Sequence, residues 1–152
     1  MAKDPIPSWF FVVAAVKLGT SFLLIKERKH DQRWYFPAGR VEPGEDFVAA
    51  AERETFEESG VRIRVTGLVR VEYTPTHRGN RIRFLFTAEP AGDPTPKSKA
   101  DHESLGAGWY TLDQIRELPL RGDDVIDLFE YLENGGAVAS LSILRPEGAQ
   151  FD

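Results

Sequence analysis

The chain contains no cysteine, which excludes disulfides, zinc-thiolate sites and thiol nucleophiles and leaves the redox compartment open. It has no excess of positive charge either: 19 Lys and Arg stand against 24 Asp and Glu, a net −5. A general nucleic-acid binder needs a basic footprint, so stable nucleic-acid binding is not expected. Long apolar runs are missing as well. The longest, Trp9–Val16, falls far short of the roughly 20 residues that span a bilayer, and no basic region leads into a processed apolar segment at the N-terminus. The expectation is a soluble cytoplasmic protein with no membrane partner. What is present suffices for a core, since 41% of the 152 residues are apolar and a domain of this size buries about two-thirds of its unfolded surface. Residues 1–152 read as one domain without internal repeats, 1–8 being an N-terminal arm and 137–152 a C-terminal tail.

Trp9–Leu18 and Ser21–Lys26 are apolar, β-branched and aromatic, and Gly19-Thr20 between them predicts a hairpin. Strands apolar on both faces belong in the centre of a sheet. Glu27–Gln32 reads as a solvated charged connection, with His30 exposed and idle. Arg33–Pro37 forms a short strand in which Phe36 is a core residue, while the flat rings of Trp34 and Tyr35 suit either the core or a nucleobase. From Val61 to Thr74 the pattern predicts one long bent strand or a strand pair, interrupted at Gly67. Thr74–Asn80 is a turn that carries His77. Arg81–Ala88 alternates, with Ile82, Phe84 and Phe86 on one face and Arg81 and Arg83 on the other, facing phosphate or, more commonly, solvent.

Glu89–Ala100 holds three prolines and reads as a loop, its Lys97 and Lys99 solvated or in contact with phosphate. A strand at Trp109-Tyr110 follows, then a short helix from Thr111 with a capping box to Gln114. An amphipathic helix over Asp123–Glu133, stopped by Gly135-Gly136, comes last. Val138–Leu144 in the tail is apolar enough to pair as a strand or to dock on a second subunit. Mixed strands with one helix in mid-chain and two near the end predict an α/β/α sandwich.

The mid-chain helix runs from about Asp46 to Ser59, where Gly60 ends it. Glu54, Glu57 and Glu58 fall on one arc, because positions i, i+3 and i+4 are neighbours. That arc also carries Phe47, Ala50 and Ala51, the stripe that faces inward. Glutamate-rich helix faces are usually solvated. Here the arrangement is costly: each like-charge pair destabilises by roughly 0.2–0.5 kcal/mol. The helix dipole adds about 0.3–1 kcal/mol for each anion in the last turn. Inward placement and last-turn crowding together point to a hard divalent cation with oxygen ligands. Arg53 and Glu45 then hold the ligands from behind, an Arg fork fixing a carboxylate.

Gly39, five residues, Glu45, seven residues, then Arg53-Glu54-x-x-Glu57-Glu58-x-Gly60-Val61 resembles a complete Nudix box. Thr55 stands where that family usually has an aliphatic residue. The resemblance implies a Nudix-type α/β/α sandwich with a mixed sheet. It implies a hydrolase of nucleoside diphosphates linked to another moiety, with Mg2+ or Mn2+ on Glu54, Glu57 and Glu58. It also implies a backbone-carbonyl ligand from the residue before the box glycine, here Ala38. Many members carry a further carboxylate six residues before a Trp, and Glu103 stands six before Trp109, which makes it the candidate fourth ligand or general base. Glu54, Glu57, Glu58, Glu103 and Arg53 form the candidate catalytic set, and Trp34, Tyr35 and Arg83 the candidate substrate contacts.

Beyond the box, WYFPAGRVEPGE, RIRFLFTAEPAG, KADHESLGAGWY and LPLRGDDVIDL resemble the branch that hydrolyses 8-oxoguanine nucleoside diphosphates. The expected partner is therefore a small nucleotide, a nucleoside di- or triphosphate cleaved to a monophosphate. ADP-ribose and dinucleoside polyphosphates are the alternatives among enzymes, the first prompted by Pro75, which lies beyond the box where some ADP-ribose hydrolases carry a proline. Outside enzymes, the alternative is a catalytically silent module that senses a nucleotide. Such modules typically lose a helix glutamate, and this chain keeps all of them. Monomer and homodimer both fit.

Overall fold

The computed structural model describes residues 3–151. In chain order its elements are β1 (Ser8–Leu18), β2 (Ser21–Lys26), β3 (Trp34–Tyr35), β4 (Ala38–Arg40), α1 (Phe47–Ser59), β5 (Ile63–Thr76), β6 (Gly79–Pro90), β7 (Gly106–Thr111), α2 (Leu112–Arg116) and α3 (Asp124–Glu133). The sheet runs β3-β2-β1-β6-β5, with β4 against β1 and β7 against β2. It is mixed, since β1 and β6 are parallel and the remaining pairs antiparallel.

The apolar composition of β1 follows from its place. It has partners on both edges and a packed layer on each face. Val12, Ala14 and Val16 point to the side covered by Ala50 and Ala51 of α1. Val13 and Ala15 point to the side covered by Ile115 of α2 and Val125, Leu128 and Phe129 of α3. The result is an α/β/α sandwich. Phe22 stacks on Phe129 with centroids 4.0 Å apart, and full burial of each such ring is worth about 1.5–3 kcal/mol. The expected hairpin is present only at its turn, through Lys17↔Phe22 and Leu18↔Ser21. Beyond it β2 departs to pair with β3 and β7, leaving the first half of β1 to β4 and β6.

Helix boundaries follow local chemistry. The Asp46 carboxylate accepts from Ala49 N–H at 2.7 Å as the N-cap of α1. Gly60 ends the helix at φ +77°, the left-handed region that a Cβ disfavours. Thr111 and Gln114 form the reciprocal capping box of α2, at 3.3 and 2.9 Å.

Several expectations are narrowed, met or changed. β5 passes through Gly67 as one strand, and two register shifts against β6 absorb the irregularity as bulges. A Cβ at Gly67 would collide with Val138 of the tail, so the glycine marks a close approach rather than a break. The turn expected over Thr74–Asn80 shrinks to His77-Arg78, because the β5–β6 ladder continues to Thr76↔Gly79. His77 is exposed, as is His30, which lies in a left-handed 3-10 turn with Asp31 and Gln32. β6 likewise continues to Pro90, past the loop boundary read at Glu89.

The tail forms a single bridge rather than a strand. Leu68 N donates to Ala139 O at 2.9 Å and Ala139 N returns the bond to Leu68 O at 2.8 Å. Leu141–Ile143 then form a 3-10 turn whose Leu141, with Leu144, packs on the α1 side of the core. The apolar stretch thus docks on its own chain. Of the N-terminal arm, Met1 and Ala2 lie outside the described residues, Lys3–Pro7 have no regular structure and Ser8 opens β1. Among the described residues no helix is long and apolar enough to cross a membrane.

Candidate active site

Arg53 organises the acidic face of α1. Its Nε and one terminal nitrogen grip the two oxygens of Glu45 at 2.7 and 2.9 Å, the bidentate geometry suited to guanidinium and carboxylate. The other terminal nitrogen donates to Glu54 at 3.0 Å and Glu57 at 3.1 Å. The Arg53 fork holds Glu45 below the usual carboxylate range. Glu45 in turn accepts from Glu42 N–H at 3.1 Å, closing the turn that leads into the helix.

Glu58 looks the other way, into the sheet. Val13 and Ala38 oppose each other in a wide ring closed by Ala14 N–H to Pro37 O at 3.0 Å. A residue in such a pair turns its own N–H and C=O away from the partner strand. The Ala38 N–H accordingly donates to Glu58 Oε1 at 2.9 Å, and the Ala38 carbonyl points to the same side, toward α1. Gly39 completes the approach, since a Cβ there would collide with the Glu54 carboxyl.

The electrostatics of this pocket are strained. Burial pushes the Glu58 carboxyl well above its usual range; the Ala38 N–H pulls it back, while Glu54, Glu27 and Glu103 push it further up. Burial raises Glu54 too, opposed by Arg53 and reinforced by Glu57 and Glu103. Half-buried carboxylates that repel one another, a carbonyl aimed at them and a side-chain-free wall at Gly39 fit a hard cation with oxygen ligands. Among the described residues no three acidic or His side chains already stand as a closed cage. Arg53 pairs with both Glu54 and Glu57.

Glu103 enters the same field from the loop before β7, its side chain about one-third exposed at 33% and 3.0 Å from His102 Nε2. Trp109 anchors the following strand by donating Nε1–H to Pro94 O at 2.7 Å. The loop itself is fastened to the end of α1. Lys97 N donates to Ser59 O at 2.7 Å, Lys97 Nζ to Glu57 O at 3.4 Å, and Ser104 Oγ to Glu58 O at 2.7 Å. Lys97, read from sequence as solvated or meeting phosphate, is largely buried and paired with Asp101 at 2.7 Å.

A second set of residues gathers on the opposite face of β1. Arg40, Phe11, Arg83 and Glu72 lie in one cross-strand row. With Arg81 and Arg121 the arginines line a cavity of about 230 Å³ whose wall includes Tyr35, Ala38 and Gly39. Arg83 is not the solvated arginine of the common outcome. It donates to Glu72 at 2.6 Å and to the Tyr35 hydroxyl at 2.9 Å, and that hydroxyl donates to Asp124 at 2.6 Å. Burial and the bond to Asp124 push the Tyr35 phenol up to about 12. Arg121 lies over the Tyr35 ring at 4.5 Å and pairs with Glu27 at 3.2 Å. Trp34 is absent from this wall; it packs edge-on against Tyr110 at 5.2 Å. Phe36 is fully buried.

The structure therefore brings Glu54, Glu57, Glu58, Arg53, Ala38 and Glu103 together, puts Tyr35 and Arg83 on an adjoining arginine-lined wall, and leaves Trp34 outside it. Sequence reading missed Glu27, taken as part of a solvated connection, and also Arg40 and Arg121. No spacing pattern marks Glu27. Its only signal is its position at the end of a buried strand, where a side chain 16% exposed sits beside the acidic helix.

Known proteins share this fold and its sequence pattern. The NUDIX domain model matches residues 9–131. The 8-oxo-dGDP phosphatase NUDT18 of Mus musculus is 45% identical over 126 residues, 79% of this chain and 38% of that protein. Its Homo sapiens counterpart is 44% identical with the same coverage, 79% and 38%. The chain thus spans well under half the length of these relatives. A solved NUDIX hydrolase from Nitrosomonas europaea superposes with a TM-score of 0.78 at 26% identity, covering 94% of this chain and 100% of that one. With the box residues on one inward helix face and the family model matched across nearly the whole sheet, this chain belongs to the Nudix family.

Proposed function

We propose that this protein hydrolyses a pyrophosphate bond in a nucleoside di- or triphosphate, with 8-oxoguanine nucleoside diphosphates as the preferred class. The observation that carries this reading is the juxtaposition across Ala38-Gly39: half-buried, mutually repelling carboxylates on one side, an arginine-lined cavity on the other. The likeness to proteins named 8-oxo-dGDP phosphatase supports the substrate class. A Mg2+ or Mn2+ ion would be held by Glu54, Glu57, Glu58 and the Ala38 carbonyl. Bound there, it supplies the positive charge that neutralises pyrophosphate oxygens and acidifies the attacking water.

The chain's own residues do the rest. Arg53 keeps Glu45, Glu54 and Glu57 in register. Among the described residues Arg40 and Arg81 have no carboxylate partner in the cavity wall; they meet the anionic part of the nucleotide, while Arg83 and Tyr35 form its floor. Glu103 takes the proton from the attacking water; the oxygen adds to phosphorus, and the bridging P–O bond breaks to release the monophosphate. A cytoplasmic enzyme of the nucleotide pool, monomeric or dimeric, is part of the same reading.

The test is a nucleotide panel with magnesium, products being resolved by ion-exchange chromatography. 8-oxo-dGDP should give 8-oxo-dGMP and orthophosphate with a higher kcat/KM than ADP-ribose. An equal or better kcat/KM for ADP-ribose would overturn the substrate class. No turnover of any nucleotide would turn the reading toward a nucleotide-sensing module.

A further inference from the structure

We propose that Asp101 is a positioning residue that holds the Glu103 carboxylate over the last turn of α1. This rests on the proposed function above for its catalytic consequence, but not for its geometry. The last turn of α1 contains Glu57, Glu58 and Ser59 and no basic residue of its own, so its carbonyls and its dipole need partners from elsewhere. The loop 97–104 supplies them. Lys97 grips Ser59 O through its backbone and Glu57 O through its ammonium, and Ser104 Oγ takes Glu58 O.

Between those anchors, one oxygen gathers the loop. Asp101 Oδ1 accepts from Lys97 Nζ at 2.7 Å, from Glu103 N–H at 2.9 Å and from Ser104 N–H at 3.2 Å. The Asp101 N–H donates to Ser104 O at 3.0 Å and closes the turn. Arg28 Nε–H holds the Asp101 carbonyl from outside, and Leu105 N–H bonds to Lys26 O at 2.9 Å, fixing the exit beside Glu27. The backbone on both sides of Glu103 is thereby pinned to α1 and β2, while its carboxylate lies 3.0 Å from His102 Nε2. A side chain that removes a proton from a reacting water needs this, because a misplacement of about 1 Å costs on the order of 10²-fold in rate. Lys97 ties the same carboxylate to the helix that carries Glu57 and Glu58, so the loop is fastened to that end of the helix.

Asp101 is 44% exposed and outside both core clusters, so its replacement leaves the fold intact. The test compares Asp101→Ala, Asp101→Asn, Glu103→Gln and the double variant Asp101→Ala/Glu103→Gln. Amide hydrogen exchange is one readout, and hydrolysis of 8-oxo-dGDP at saturating magnesium is the other. In Asp101→Ala the Glu103 and Ser104 amides should exchange at least about tenfold faster, the worth of one charge-assisted bond. Its kcat should fall about 10–100-fold with little change in KM. Asp101→Asn keeps an oxygen acceptor for both amides and should recover most of the rate. Because Asp101 acts through Glu103, the double variant should be no slower than Glu103→Gln alone.

Unchanged amide exchange in Asp101→Ala overturns the proposal, whatever Glu103 does. Losses that multiply in the double variant overturn it as well, since Asp101 would then act by another route. A wild-type rate for Glu103→Gln removes the base assigned under the proposed function. The exchange result then still decides whether Asp101 holds the loop.

Discussion

The Ala38 N–H donates to Glu58 Oε1 at 2.9 Å, joining the strand before the box loop to the end of its helix. One backbone bond thus aims the Ala38 carbonyl and the Glu58 carboxyl at the same space. Glu58→Gln keeps the acceptor and removes the charge. Activity should fall by at least about 10²-fold, beyond the 10–100-fold typical of residues behind the ligands. In EDTA the variant should melt no lower than the parent, because it no longer buries an anion. A variant that melts well below the parent would show Glu58 to be structural.

Chelation should abolish turnover, and magnesium or manganese should restore it, since oxygen ligands suit hard cations. The readout is phosphate release before and after EDTA, followed by metal titration. Full activity in EDTA, or recovery with zinc alone, would contradict an oxygen-ligand site.

Thr55 is fully buried at 0% exposure, and its Oγ1 has no hydrogen-bond partner among the described residues. An unsatisfied buried hydroxyl costs about 1–3 kcal/mol. Thr55→Val keeps the branched shape and removes that cost. Stability should rise by about 1–2 kcal/mol, and Tm by about 2–4 °C for each kcal/mol in a chain of this size. Urea and thermal melts decide it; a lower Tm would mean that the hydroxyl finds a partner.

The Tyr35 phenol is pushed up to about 12 from its ordinary 10.0 by burial and by Asp124. A group whose folded pKa is raised contributes stability that is fully present below the unfolded pKa and is lost as pH climbs to the folded one. Stability should therefore drop between about pH 10 and pH 12. Tyr35→Phe should flatten that limb. Urea midpoints across the window test it, and an identical slope in the variant would clear Tyr35 of the effect.

The glutamate helix was legible because everything that makes it is local. Asp46 caps it, Gly60 ends it, and positions 54, 57 and 58 share a face by helical geometry alone. The Thr111–Gln114 capping box was legible for the same reason, its two partners being three residues apart. Ala38 and Glu103 came from likeness to a family pattern, which compresses tertiary information into spacing.

Tertiary structure alone decided which residues surround that helix. Glu27 bears on Glu58, and Arg121 reaches Glu27, only because β2, β3 and the segment before α3 converge. The arginine wall exists because β1 pairs antiparallel with β4 on one edge and parallel with β6 on the other, which puts Arg40 and Arg83 on either side of Phe11. Lys97, Asp101 and Ser104 are near neighbours in sequence, but the α1 carbonyls they fasten lie far from them in the chain, so each alone read as an ordinary loop polar. Local propensity and helix periodicity act over a few residues and are written in the order of the chain. Strand partners and the charges facing a buried carboxylate are set by which distant surfaces bury each other, and that is settled only when the chain packs.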